Sequence, residues 1–221
     1  MRLGVLAALR AEVSPALKAL HANSRRLGNR LFHEAEPLVF LVGGVGPEKA
    51  RRAARCLVEA SHPAALISAG FVGAVVPDLS AGDLVLGGSS GFAPDEDLLR
   101  RARKVDPTAR VAEVVTVDQV VVGEEAKSRI AKSSHAVAVD MESAAVAMVA
   151  RECGLGFLCA KVVLDTISEP LASTYESVPR VLGEILRRPR TVAGIFRDAG
   201  RSKVCGRRLG EFFLRFARAF A

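Results

Sequence analysis

Apolar and polar positions alternate along the chain in blocks, and the blocks change period. Residues 2–8, RLGVLAA, form a continuous apolar run of strand length. Ala11 to Leu20 then read as a helix. PLVFLVGGVGP is a second apolar run that ends in glycines. Pro47 opens the helix EKARRAARCLVEA, in a first-turn position where its missing N–H is not needed. AALISAGFVGAV is a third buried run ending in glycines. AGDLVLG, ARVAEVVTV, residues 135–139 and residues 156–164 read as further strands. Helices are expected over Asp95 to Arg103, after Gly123, over 141–153 and from about residue 174 on.

Strands alternating with helices predict a three-layer αβα architecture around a mostly parallel, mixed central sheet. Near-continuous apolar strands fit a sheet covered on both faces. Such sheets gather ligands at the carboxyl ends of their strands. The sequence RRPR, 187–190, marks the best boundary, dividing a catalytic domain, 1–186, from a C-terminal helical segment, 187–221.

Half of the 221 residues are hydrophobic and a quarter are charged, a globular composition. No apolar run reaches the length of a membrane span, and Arg10 and Glu12 interrupt any signal-peptide core. The four cysteines, Cys56, Cys153, Cys159 and Cys205, lack metal-ligand spacing, so a reducing cytoplasm is expected, with no metal or organic cofactor. The net charge of +7 is concentrated from Arg187 onward. One tyrosine and no tryptophan leave few stacking platforms, which argues against nucleic acid as partner. The four histidines fall at turns and element ends and receive no role.

The C-terminal GRRLGEFFLRFARAF places Leu209, Phe212, Phe213, Phe216 and Phe220 on one helical face and arginines on much of the rest. That pattern fits a helix lying on an anionic membrane surface, peripheral to the inner face. It also fits a helix packed on its own domain or on a second subunit.

Polar residues collect at the predicted strand ends: Glu12, Gly43-Gly44-Val45-Gly46, Gly70, Gly73, Asp118, Asp140-Met141-Glu142 and Asp165. The GGVG loop before a helix is either an anion cradle, through Gly44 and Gly46, or a tight turn. Asp165, leaving a buried strand, is either a general acid or a cap for the next element. Glu142 stands among apolar residues at the seam of strand and helix. An unpaired charge is costly there, so a neighbour or a ligand must satisfy it.

The segments GVLAALRAEV, GGVGPEKARRAA, LISAGFVGAVVPDLSAGDLVLG, AVAVDMESAAVAMVA and GFLCAKVVLD, in this order over residues 2–170, resemble the nucleoside phosphorylase and nucleosidase family. The chain looks like the branch with methylthioadenosine/S-adenosylhomocysteine nucleosidase. It is most similar to the hopanoid-associated phosphorylases, which share VDMES and a tail like VLGEILRRPRTVAGIFRDAG. The resemblance implies that Asp165 protonates purine N7 and that Glu12 positions an attacking water. It implies that Glu142 accepts hydrogen bonds from the ribose hydroxyls while Met141 packs on the ribose. Asp140, Phe71, Gly70 and Gln119 are expected to line the substrate site. Leu164 stands where the family commonly has Ser, and Lys161 where the related nucleosidases usually have Arg. Phe71-Val72-Gly73 replaces an Ala-Gly-Gly strand end, and Asp118-Gln119-Val120 a segment that normally brings an aromatic under the base.

The activity implied is cleavage of the N-glycosidic bond of an adenine nucleoside. Adenosylhopane, giving a ribosyl or phosphoribosyl hopanoid, is the first expectation. Soluble 5′-substituted adenosines such as methylthioadenosine are the second, and a catalytically silent nucleoside-binding protein is the third. Inorganic phosphate or water would be the co-substrate, and a homo-oligomer is expected.

Overall fold

The computed structural model describes residues 1–121, 123–168 and 189–220, with side chains in the last stretch described from residue 200. Among them, ten strands form one sheet. Its centre is parallel: β1 (Leu3–Ala7) lies between β4 (Leu38–Val42) and β5 (Ala65–Ala74), and β10 (Gly156–Asp165) pairs with the other edge of β5. β6 (Leu84–Gly87) runs antiparallel to β10 and carries β7 (Arg110–Val111) at its edge. β9 (Ala138–Asp140) runs antiparallel to the end of β5 and pairs with β8 (Val114–Thr116).

Side-chain alternation divides the core. Val5, Ile67, Leu158 and Val162 face a layer of α1 (Arg10–Ala19), α3 (Glu96–Val105) and a C-terminal helix, α6 (Pro189–Arg218). Leu6, Leu66, Cys159 and Val163 face α2 (Pro47–Ser61) and α5 (Ser143–Glu152) on the other side. The predicted three-layer architecture is therefore present. Lys161 follows the alternation of Cys159 and Val163, which carries a cation to the α5 side of the sheet.

Three features of the fold depart from the sequence reading. Residues 21–36, to which no element was assigned, form a hairpin, β2 (Asn23–Leu27) and β3 (Arg30–Ala35). Every β2 residue is exposed, so no apolar face announces it. ARVAEVVTV, read as one strand, is two: β7 stays with β6 and β8 crosses to β9. The chain passes so close to Gly87 that a Cβ there would lie 2.0 Å from the Ala112 carbonyl oxygen.

The third correction concerns the membrane. Leu209, Phe212, Phe213 and Phe216 are fully buried, so the face expected to meet lipid is part of the core. Phe213 meets Phe40 edge to face at 5.5 Å, and Phe212 stacks on Phe216 at 5.3 Å. Two glycines bring α6 onto α1: a Cβ on Gly206 would lie 2.7 Å from the Ala11 carbonyl oxygen, and one on Gly210 3.0 Å from the Pro15 backbone. Arg208 and Arg215 pair with the buried Asp106 at 2.6 and 2.9 Å. The described part of the C-terminal segment is thus a wall of the same core, and it braces the helix that bears Glu12. The expected boundary after residue 186 and the start of the helices from about residue 174 lie outside the described residues. No described helix is long and apolar enough to cross a membrane.

Candidate active site

The carboxyl ends of β1, β5 and β10, with the end of β9, open into one cleft of about 190 Å³ with largely apolar walls. Glu12, Phe71, Gln119, Asp140, Met141, Glu142, Leu164 and Asp165 all line it, so candidates distant in sequence are brought together. Gly70 stands behind Glu12, and the loop of Gly44 and Gly46 stands behind Glu142.

Glu12 sits in the first turn of α1, 4 % exposed. Its Oε2 accepts the Leu9 N–H at 2.8 Å and its Oε1 the Phe71 N–H at 3.0 Å. The second bond needs a close backbone approach. Gly70 supplies it at φ +143°, where a Cβ would fall 2.7 Å from Glu12 Oε1. Burial pushes the Glu12 carboxyl up to about 7, against the lowering pull of the Lys161 ammonium and the two N–H groups.

Glu142 is the N-cap residue of α5, and Gly46 N–H donates to its Oε1 at 2.7 Å. Burial raises its carboxyl above the usual range, again against Lys161. Asp140 is different. Its carboxylate pairs with Lys161 at 2.8 Å and accepts from Thr116 Oγ1 at 2.7 Å, and from the Ser143 N–H and hydroxyl. Burial alone would raise the Asp140 carboxyl; Lys161 and these hydroxyls hold it below the ordinary value. These partners occupy the carboxylate. Asp140 therefore anchors the start of α5, where a direct contact with substrate was expected.

The expected anion cradle is likewise taken up. Gly43 N–H donates to the Ala7 carbonyl at 2.8 Å, Gly44 N–H to the Ala8 carbonyl at 3.1 Å, and Gly46 N–H to Glu142. The loop serves to fix Glu142, and these glycine donors are not turned to a bound anion.

Asp165 ends β10, 3 % exposed. It is not a lone acid, for it pairs directly with Lys127 of α4 (Glu124–Ser133). Lys127 is fully buried and also donates to the Thr166 carbonyl at 2.9 Å. Sequence reasoning missed Lys127. The one signal was its place three residues before Ile130, on the inward stripe of an otherwise polar helix. Lys161 was noted only as a departure, yet it is 1 % exposed. Burial weakens its ammonium's hold on the proton, but Asp140, Glu142 and Glu12 around it more than reverse this and raise its proton affinity.

The cleft at the strand ends is lined by the carboxylates of Glu12, Asp140, Glu142 and Asp165, a set of groups suited to acid–base chemistry. The chain belongs to the phosphorylase superfamily: that family's model matches residues 2–90 and 86–188. It is an enzyme of that family. Aminodeoxyfutalosine nucleosidase of Campylobacter jejuni is 26 % identical, over 67 % of this chain and 79 % of that protein. Among solved structures, the futalosine hydrolase of Helicobacter pylori superposes with a TM-score of 0.79 at 16 % identity, covering 99 % of this chain and 97 % of that one. A methylthioadenosine/S-adenosylhomocysteine nucleosidase from S. pneumoniae, bound to a transition-state inhibitor, gives 0.78 at 20 % identity and covers all of both chains.

Proposed function

We propose that this enzyme is a hydrolytic nucleosidase that releases adenine from a nucleoside bearing an apolar 5′ substituent. The observation that carries the reading is that one cleft is lined by both Glu12, whose carboxyl burial pushes up to about 7, and Asp165, which pairs with the buried Lys127. A base poised near the working pH suits proton abstraction, and an acid in the same cleft suits a leaving group.

The steps balance. Glu12 takes a proton from water, and the water oxygen bonds to ribose C1′. The C1′–N9 bond breaks and its electron pair passes to the base. A proton from Asp165 goes to N7, so adenine departs neutral. Glu142 accepts hydrogen bonds from the ribose hydroxyls. The surrounding carboxylates favour the positive charge that develops on the sugar. Water is preferred to phosphate as nucleophile because the loop glycines that could cradle an anion already donate within the protein.

Leu9, Val45 and Val120 rim the mouth at 45, 42 and 37 % exposure, an apolar collar that favours a bulky hydrophobic substituent on the sugar. Adenosylhopane, cleaved to ribosylhopane and adenine, fits that collar. Methylthioadenosine, with its small apolar 5′ group, is the second reading and fits the apolar cleft wall. The test is adenine release from each, with and without phosphate. Faster release from the lipid nucleoside, unaffected by phosphate, supports the first reading. Faster release from methylthioadenosine supports the second. Release that requires phosphate overturns the hydrolytic mechanism, and release from neither overturns the function.

A further inference from the structure

Burying an ion pair removes two charges from water, and a well-packed apolar pair is often as stable. Yet Lys127 is the one described residue of α4 that is buried, and its ammonium is aimed at the carboxylate that ends β10. Gly73 keeps the space around the pair open: a Cβ there would lie 3.1 Å from Asp165 Oδ1 and 3.4 Å from Lys127 Nζ. Asp165 lines the cleft, whereas Lys127 stands behind it.

An acid that protonates the leaving group must be reloaded at each turnover, and the Lys127 ammonium lies directly against the Asp165 carboxyl. We propose that Lys127 is the proton source for Asp165, so that the leaving-group acid is the buried Lys127–Asp165 pair and not the aspartate alone. The inference rests on the nucleosidase reading above. An Nζ–H passes to the carboxylate, giving a neutral amine and a carboxylic acid. As C1′–N9 breaks, the carboxyl proton passes to N7, which leaves carboxylate and amine. The amine regains a proton from solvent once adenine departs, matched by the proton that Glu12 took from water.

The pair lets the acid stay loaded in media too basic to protonate an isolated carboxylate. Among the described residues, the other charged groups on the cleft are Glu12 from α1 and Asp140 and Glu142 at the start of α5, with Lys161 of β10 behind them. They are common to the wild type and to any Lys127 variant.

The experiment measures kcat/KM from pH 5 to 10 for methylthioadenosine and for 4-nitrophenyl β-D-ribofuranoside, whose leaving group needs no proton. Lys127→Met should retain activity on the nucleoside at low pH and lose about tenfold per pH unit on a basic limb that the wild type lacks over the same range. Lys127→Arg keeps the charge but holds its proton, and should be about 100-fold slower on the nucleoside at every pH. Both variants should cleave the nitrophenyl riboside within about fivefold of wild type, which also reports a folded site. Parallel pH profiles for wild type and Lys127→Met, or equal losses on both substrates, would overturn the proposal. A wild type that cleaves the nitrophenyl riboside but no adenine nucleoside would remove the adenine reading, and the relay with it.

Discussion

Two lysines buried at this cleft keep different company. Lys161 is set among three carboxylates, those of Asp140, Glu142 and Glu12. Lys127 meets one, that of Asp165. The first region carries surplus negative charge that burial makes costly, so Glu12 and Glu142 hold protons more readily than usual. In the second, one described cation meets one carboxylate. Under the proposed mechanism the same residue types give a site that accepts a proton and favours a cationic sugar, beside one whose pairing supplies a proton. Charge balance, more than residue identity, assigns the roles.

The sharpest way to break the comparison is to remove the shared cation. Lys161→Met leaves the Asp140 carboxylate buried without its counter-charge, so a loss of about 3–5 kcal/mol is expected by urea denaturation. A loss below about 1 kcal/mol would mean that the carboxylates do not depend on one lysine. Asp165→Asn acts on the other region. It removes the acid and should lower kcat on an adenine nucleoside about 10²–10⁴-fold with KM little changed. Unchanged kcat with intact binding would show that Asp165 carries no proton, and no turnover in the wild type either would leave a protein that only binds nucleosides.

Gly70→Ala tests the geometry that holds the base. The added methyl would fall 2.7 Å from Glu12 Oε1, at a backbone φ of +143°. A destabilisation of about 2–3 kcal/mol is expected, with loss of turnover, because either the strand or Glu12 must move. Thermal unfolding and turnover measured on one preparation decide whether both fall together.

The scaffold was legible because a doubly covered sheet writes itself as apolar runs. β1, β4, β5 and β10 are such runs, and the polar residues that interrupt them at their ends are the ones that meet in the cleft. The exposed hairpin of β2 and β3 writes no such pattern. The aromatic face of α6 was visible, but its partners were not: Phe213 meets Phe40 of the sheet, and Gly206 and Gly210 bring α6 against α1. The same holds at the site. Glu12, Glu142 and Asp165 were legible as carboxylates placed where desolvation is costly. Their counter-ions were not, since Lys127 lies in a polar helix and Lys161 in an apolar strand, and pairing is a property of the fold. The glycine loop shows the converse: its donors suggested an anion, and Glu142 proved to be that anion.

The smallest effect expected concerns stability and pH, and it separates the two regions without any substrate. The Glu12 carboxyl binds its proton up to about pH 7 in the folded protein but only to about its ordinary 4.5 when unfolded. Between these values the folded state holds more protons, so stability falls as pH rises from about 4.5 to about 7 and then levels. The full shift sets an upper bound of about 3 kcal/mol, and relaxation of the site should leave about 1–2 kcal/mol. Glu12→Gln carries no such titration. Denaturation at pH 5 and pH 8 should show the variant gaining on the wild type at the higher pH, with all other groups common to both. A difference that stays constant across that window would mean that Glu12 is already ionised at pH 5, and that the surplus charge around Lys161 is carried elsewhere.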